Sequence, residues 1–260
     1  ATDVLRTIAN GLGGITTLTY QPSSLCGCAV EGLLPFVLPV VQKTTHTDGL
    51  GHSYTTTYLF HGGLYDAPTK EFRGFEEATV FDAEGNKSIT HFHQDAHKKG
   101  RTFKTEFKDR YDTLWTRQEQ TWSCTEPFPG VHVTKLDQTD AYTYDGDATF
   151  KQTRARFTYD AFGNLTRTDE DGEIGVTGDE RSTLTTYTLN DTAWILTPPS
   201  LTQTLNASGA VVAQRRFYYD GATLHTTAPT RGTLTKEEEW RSLPTEQWLA
   251  TSLSYDTYGN

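Results

Sequence analysis

Short stretches in which apolar or aromatic residues alternate with threonine and charged residues recur along the whole chain. Residues 15–20, 150–159 and 211–219 are examples, and each is flanked by glycine, proline, asparagine or aspartate. A period of two is typical of strands, and the flanking residues are typical of turns. The same pattern predicts further strands at 54–60, 77–81, 87–93, 101–107, 114–122, 131–136, 184–189, 194–196 and 201–205.

The chain is therefore predicted to be all-β, built of repeated antiparallel hairpins with few or no helices. Residues 235–240 leave two structures open. Thr235 and Glu238 have the spacing of a capping box that starts a helix, but Pro244 follows closely, and a final hairpin is favoured. Pro127 and Pro129 are expected to interrupt the strand pattern, which makes 124–130 the best internal boundary. Residues 198–199, both proline, are expected to end a strand or to lie at an edge.

One hairpin unit recurs. At 159–164 an aromatic strand end is followed by a turn of aspartate, glycine and asparagine, and a second turn is predicted at 169–172. Gly, Asn and Asp tolerate the positive φ that tight turns need. A close copy occupies 255–260, and looser copies lie at 217–221 and 81–86. The residues that define the three main copies are Tyr159, Asp160, Gly163, Asn164, Tyr219, Asp220, Gly221, Tyr255, Asp256, Gly259 and Asn260.

A second motif lies at 60–75, where FHGGLYD is followed after three residues by KEFRGF. Its singled-out residues are His61, Gly62, Gly63, Tyr65, Asp66, Phe72, Arg73, Gly74 and Phe75. The hairpin units resemble the YD repeats of RHS-type proteins. The second motif resembles the middle region of the B component of insecticidal Tc toxin complexes, a neighbour of the Salmonella-plasmid-virulence B-like family. Residues 8–20 fit the same region.

The resemblance implies a segment of a large curved β-sheet that forms part of the wall of a hollow shell. Residues 1–125 would be the segment like the B-component middle region, and 126–260 the YD-repeat segment. Such a shell shields a cytotoxic C-terminal cargo until it is translocated. The implied partners are the rest of the shell, the cargo and, through regions outside this chain, the pore-forming A component. The implied location is secreted.

The resemblance also implies a structural role for each of the motif residues. The repeat tyrosines would stack between units, the repeat aspartates would bind turn amides, and the glycines would supply the turn geometry. Arg73, beside Phe72 and Phe75, would anchor the turn at Gly62 and Gly63. No catalytic residue, metal ligand or cofactor is assigned, and the chain is not expected to be an enzyme.

Composition narrows the partners further. The 260 residues carry a net charge of −10, with a sequence pI of about 5.2. An acidic surface repels phosphate groups, which disfavours nucleic acid and anionic membranes as partners. No apolar run approaches the roughly 20 residues needed to cross a bilayer. The chain begins at Ala1, contains no methionine and stops within a repeat at Asn260, so it is expected to be a piece of a longer polypeptide.

Candidate chemistry remains beside this structural interpretation. His91, His93 and His97 are spaced like the ligands of metal-dependent hydrolases, with one extra residue before the last histidine. A hydrolase built on them is one alternative function. The other is an extracellular YD-repeat adhesion or glycan-binding module, which rows of exposed aromatic residues would favour. The three cysteines do not form a disulfide framework, and the closely spaced pair Cys26 and Cys28 is interpreted as ordinary thiols.

Overall fold

The chain folds into antiparallel β-strands joined in sequence order. The structure, a computed structural model, describes residues 3–25, 34–242 and 245–256. The strands of the first half are β1 (Thr7–Ala9), β2 (Ile15–Pro22), β3 (Pro39–Thr47), β4 (Ser53–His61), β5 (Tyr65–Asp66), β6 (Glu71–Phe72), β7 (Glu77–Phe81), β8 (Lys87–Phe92) and β9 (Thr102–Lys108). Those of the second half are β10 (Leu114–Phe128), β11 (Val131–Tyr144), β12 (Phe150–Tyr159), β13 (Leu165–Glu173), β14 (Arg181–Tyr187), β15 (Pro199–Asn206), β16 (Val211–Tyr219), β17 (Leu234–Arg241) and β18 (Gln247–Ser252).

Sixteen of these strands form one sheet in which each strand pairs with its neighbours in the chain, and β5 and β6 form a small separate sheet between β4 and β7. No helix occurs among the described residues. The all-β prediction of repeated antiparallel hairpins is therefore confirmed, and 235–240 forms a strand of the last hairpin. Within the described part of the chain, nothing helical is long and apolar enough to span a membrane.

Few apolar side chains are fully covered in this arrangement. Within the described ranges, the buried hydrophobic residues are Val40, Tyr144, Tyr218 and Tyr219. The alternating burial along β2, from Ile15 to Pro22, shows one face partly covered and the other exposed. Stability must therefore come largely from pairing between strands and from side chains that lie across neighbouring strands.

The strands cluster into two compact units, 1–152 and 153–260. The predicted boundary at 124–130 instead lies in the hairpin of β10 and β11, whose tip is at Pro129 and Gly130. Pro127 does not end β10, since it lies where the register with β11 shifts between Thr125 and Phe128. A strand proline is tolerated at such a bulge because no ladder hydrogen bond is required of it there. The assignment of 1–125 and 126–260 to different segments stays a prediction.

Three other details of the sequence prediction are wrong. Residues 169–172 continue β13, because Glu170 lies opposite Arg181 and Asp169 opposite Arg156, and ion pairs compensate the acidic side chains. Residues 194–196 contribute only an isolated bridge between Asn190 and Ile195. Pro199 does not end a strand or lie at an edge of the sheet: it begins β15, which pairs on both sides.

Six hairpins share one five-residue turn, which we call the Asx turn. In each, the first residue is Asp or Asn, and its side-chain Oδ1 accepts hydrogen bonds from the N–H groups of the third and fifth residues. The fourth residue has positive φ, and it is glycine in five turns and Asp112 in the sixth. The turns occupy 10–14, 48–52, 82–86, 109–113, 160–164 and 206–210.

In unit 1 the Asx turns all lie at one end of the sheet. They join β1 to β2, β3 to β4, β7 to β8 and β9 to β10. Because successive links between antiparallel strands alternate between the two ends, these four links share an end. The opposite end carries the longer connections 62–76 and 93–101.

The Asx turn makes a first prediction at Asp160. Asp160→Ala removes the acceptor of the Phe162 and Asn164 N–H groups and of the Asn164 side chain, which lie 2.8–2.9 Å away. We expect it to lower the free energy of unfolding by about 1 kcal/mol. Asp160→Asn retains the backbone bonds, as Asn10 and Asn206 do in their own turns, and should cost less than half as much. Urea unfolding of both variants tests this, and equal losses would contradict it.

Candidate functional site

The motif at 61–75 folds into a hairpin that lies against the end of the main sheet. Tyr65 pairs with Phe72, and Asp66 pairs with Glu71. The backbone closes around it, because Leu64 N–H donates to Gly74 O at 3.1 Å and Arg73 N–H donates to Leu64 O at 2.9 Å. We call residues 61–76 the motif hairpin.

A part-buried ion pair holds the motif hairpin. The Arg73 side chain is only 14% exposed, and its Nη2 lies 2.5 Å from Asp66 Oδ2. The Thr69 hydroxyl donates to the same carboxylate oxygen and, followed by the charge of Arg73, lowers the pKa of Asp66. Arg73 therefore lies inside the hairpin as a fixed cation and not on the open surface. Its second contact, from Nη1 to Gln94 O, is long at 3.4 Å.

Gln94 ties the two glycine segments together. Its Nε2 donates to Gly62 O at 2.7 Å and to Gly74 O at 2.9 Å. The sequence motif indicates Arg73 as the anchor of this turn and carries no signal for Gln94. The missed residue comes from the connection between β8 and β9, and only the pairing of β4, β7 and β8 brings it here.

Aromatic rings fill the space under the motif hairpin. Phe36 meets the edges of Tyr65 and Phe72 at centroid distances of 5.3 and 6.1 Å. Phe75 contacts Phe72 at 5.6 Å and Phe60 at 5.0 Å. Phe60 and Phe75 are tilted by 34°, and the other three pairs are edge-to-face, a geometry that stabilises beyond the area it buries. His61, at the exposed end of β4, contributes its backbone carbonyl to Glu76 N–H.

Two of the three repeat tyrosines, Tyr159 and Tyr219, end a strand. Tyr159 ends β12, and Asp160 to Asn164 form the Asx turn that follows, with Gly163 at φ +88°. Asn164 Nδ2 also donates to Leu196 O in the connection between β14 and β15. The same end of unit 2 carries a second bridge, from Asn190 Nδ2 to Pro229 O at 2.7 Å.

Three tyrosines, of which Tyr219 belongs to the repeat, each donate a hydrogen bond from the hydroxyl to a backbone carbonyl at or just before the start of the preceding strand. Tyr219 OH donates to Pro199 O at 3.0 Å, and Tyr187 OH donates to Leu165 O at the same distance. Tyr20 OH does the same to Leu5 O at 2.9 Å. Each of these tyrosines follows a shift in register with the next strand of the sheet. Burial raises the pKa of Tyr219 to about 12, so its hydroxyl stays a donor over the ordinary pH range.

Asp220 closes the longest connection of unit 2. Its carboxylate accepts the N–H groups of four successive residues, at distances of 2.7–3.2 Å, and the Thr230 hydroxyl. Burial acts to raise its pKa, but the four N–H groups outweigh burial and hold the pKa at about 2. Gly221, at φ +76°, starts the connection. The four donors are Thr230, Arg231, Gly232 and Thr233.

The last copy of the repeat is only partly visible. Tyr255 is 42% exposed, and Asp256 is exposed as well. Gly259 and Asn260 lie outside the described residues, as do Cys26 and Cys28. Stacking of the repeat tyrosines between units stays a prediction.

The three histidines of the proposed hydrolase site do not meet. The rings of His91 and His93 pack near the ring of Phe103, at centroid distances of 5.8 and 5.0 Å. His97 lies in the connection from β8 to β9, where its ring stacks on His132 at a centroid distance of 3.8 Å. Among the described residues, one group of three potential metal ligands comes together. It consists of His97, Cys124 and His132, and it includes neither His91 nor His93.

This architecture defines an all-β protein of serially paired antiparallel hairpins. Residues 1–106 match the family described as "Insecticide toxin TcdB middle/N-terminal region". The chain thus resembles the middle region of a Tc toxin B component, as its motifs predict. Comparison with curated protein sequences found no match.

Solved structures of Tc toxin proteins contain a region with a similar fold. The TcdB2-TccC3-TEV crystal structure superposes with a TM-score of 0.72 at 13% identity, covering 99% of this chain and 21% of that one. The Photorhabdus luminescens Tc holotoxin pore gives a TM-score of 0.72 at 13% identity, covering 91% and 18%. The TcdB2-TccC3 crystal structure gives 0.71 at 13% identity, covering 90% and 18%. The chain therefore spans about a fifth of the length of these chains.

The motif hairpin makes a second prediction. A Cβ added at Gly62 would lie 2.7 Å from Glu76 Cβ, whereas one added at Gly74 would meet nothing within 4 Å. Both glycines have positive φ, +65° and +86°, so the backbone penalty of about 1 kcal/mol is common to both. We expect Gly62→Ala to lower the free energy of unfolding by about 1–3 kcal/mol more than Gly74→Ala. Equal losses in urea unfolding would show that the close approach at Gly62 is unimportant.

Asp220 makes a third prediction. Its folded-state pKa is depressed from the ordinary 3.8 to about 2, so its stabilising contribution is present above pH 3.8 and lost as the pH falls through 2. Asp220→Asn has no such titration. The difference in free energy of unfolding between the protein and this variant should therefore shrink from pH 5 to pH 2. The protection factors of the amides at 230–233, which are exchange rates corrected for the intrinsic rate at each pH, should fall over the same interval, and a constant difference would refute the assignment.

Proposed function

We propose that this chain is a wall segment of a hollow, Tc-type toxin shell that shields a cytotoxic C-terminal cargo until translocation. The observation that carries the proposal is the match of residues 1–106 to the TcdB middle/N-terminal region, together with the serial hairpin sheet. The relatives are shown in complexes named for TcdB2, TccC3 and the holotoxin pore. The proposed partners are the rest of the shell, the cargo and, through regions outside this chain, the pore-forming A component.

The way the strands pair supports a wall. A sheet whose described strands bury few apolar side chains gains stability chiefly by adding neighbours along the pairing direction. Among the described strands, β1 pairs with β2 alone and β18 with β17 alone, so each presents one edge that no described strand covers. Open edges invite pairing with further strands. In the proposed shell those strands belong to the adjoining wall segments.

We propose that the motif residues hold the connections of the sheet in place, and no catalytic step is assigned to any of them. Asp160 and Asp220 would hold the connections at one end of unit 2, and Arg73 with Gln94 would hold the motif hairpin. The proposed function is not enzymatic and uses no cofactor. As a component of a secreted toxin, the shell would be exported, and its acidic surface suits neither nucleic acid nor anionic membrane.

Protection of the cargo tests the proposal. The longer polypeptide that carries these residues is purified with its cargo-bearing partner and digested with a broad-specificity protease over a urea series. We expect the cargo to survive until the wall is breached at a defined urea concentration. Gly62→Ala should lower that concentration, and Gly74→Ala should lower it less, in the order of their effects on unfolding.

Two outcomes would overturn the proposal. Immediate digestion of the cargo while the wall is intact would reject encapsulation and favour an adhesion or glycan-binding module. The second outcome is that Gly62→Ala destabilises this segment but leaves unchanged the urea concentration at which the cargo becomes digestible. That result would show that these residues are not part of the wall.

A further inference from the structure

Two histidines and one cysteine converge where a loop crosses a long hairpin in unit 1. Their ligand atoms, an imidazole nitrogen from each histidine and the thiol sulfur, all lie within 4.8 Å of one another. The residues are His97, Cys124 and His132. Both histidines are exposed and the cysteine is half-buried, so an ion from solution can reach all three donors.

Strand register brings Cys124 and His132 to the same face. Cys124 pairs directly with Thr134 across the hairpin of β10 and β11. His132 is two residues before Thr134 on β11, and residues two apart on a strand face the same side. The pairing therefore sets the thiol and the imidazole side by side, although seven residues separate them in sequence.

The loop that supplies His97 is fixed on this face. β9 pairs with β10 only as far as Glu119, and the later part of β10 extends beyond β9. Thr134 Oγ1 donates to His97 O at 2.9 Å, which docks the loop directly beside Cys124. Asp95 Oδ1 accepts the N–H groups of His97 and Lys98 and holds the loop backbone in place.

The donor set is that of a borderline transition metal. Zinc is bound in proteins by thiolate at about 2.3 Å and by imidazole at about 2.0–2.1 Å, commonly with three protein ligands and one open position. Three atoms within 4.8 Å of one another lie within about 2.8 Å of a common point, so closing on an ion requires each to move by less than about 1 Å. The two exposed imidazoles can make that adjustment by rotation.

We propose that His97, Cys124 and His132 form a zinc-binding site, with a fourth position open to water. The site would cross-link the 93–101 connection to the hairpin of β10 and β11, which also meet through the Thr134–His97 hydrogen bond and through Arg101 over the Trp122 ring. It is independent of the proposed role in a shell and is distinct from a ligand set of His91, His93 and His97.

Cobalt and zinc binding to the 260-residue chain test the site. The variants are made in a Cys26→Ser, Cys28→Ser background, so that Cys124 is the remaining thiol. Cobalt should give a thiolate-to-metal charge-transfer band and the visible bands of a four-coordinate ion. Zinc should displace it and raise the melting temperature. Cys124→Ser and His132→Asn should each abolish the charge-transfer band and weaken zinc binding by at least about 100-fold.

His52→Asn is the matched control, since His52 is an exposed histidine of the same unit that lies outside the cluster and binds Asp48. It should leave the cobalt spectrum and the zinc affinity unchanged. Far-ultraviolet circular dichroism establishes that each variant retains its strands. A cobalt complex without a thiolate band, or zinc binding that survives Cys124→Ser in a folded protein, would overturn the proposal, as would no binding at all.

Discussion

Lateral hydrogen bonding between neighbouring strands is the constraint on which the rest of this structure depends. In most domains a second layer of structure covers an apolar face, but here the fully buried apolar side chains of the described residues are a handful. Each strand must therefore be held in register by its neighbours and by the connections that join them. The Asx turns and the tyrosine hydroxyls hold strand ends and connections through hydrogen bonds from side chains to the backbone.

Local sequence predicts the strands well because alternation and turn residues are local signals. The ends of β7, β12 and β16 coincide with the predicted 77–81, 150–159 and 211–219. The failures occur where a partner strand overrides the local signal. Asp169 to Gly172 has the composition of a turn, yet it stays within β13, where arginines on both neighbouring strands pair with its acidic side chains. The positive φ of Gly172 is accommodated at a shift in the register with β12. Pro127 is accommodated by a bulge that only the pairing with β11 creates.

The residues of the candidate sites also fall into those that share one local motif and those that only strand pairing brings together. Gly62, Asp66 and Arg73 lie within one motif, so the sequence indicates that they belong together. Gln94 and the group of His97, Cys124 and His132 come from different connections and strands. Sequence spacing groups His97 with His91 and His93. In the structure the His97 ring instead stacks on His132. Knowledge of the register between β10 and β11 was needed to place Cys124 beside His132.

The alternation of uniform turns and varied connections in unit 1 has a consequence for how such a chain can change length. The smallest interchangeable block is two strands with one Asx turn, because removing a single strand would send every later connection to the opposite end of the sheet. Duplication or loss of a whole pair keeps the motif hairpin on its own side. Natural variants should therefore differ by even numbers of strands, and grafts between relatives should be cut in the longer connections, one strand pair at a time.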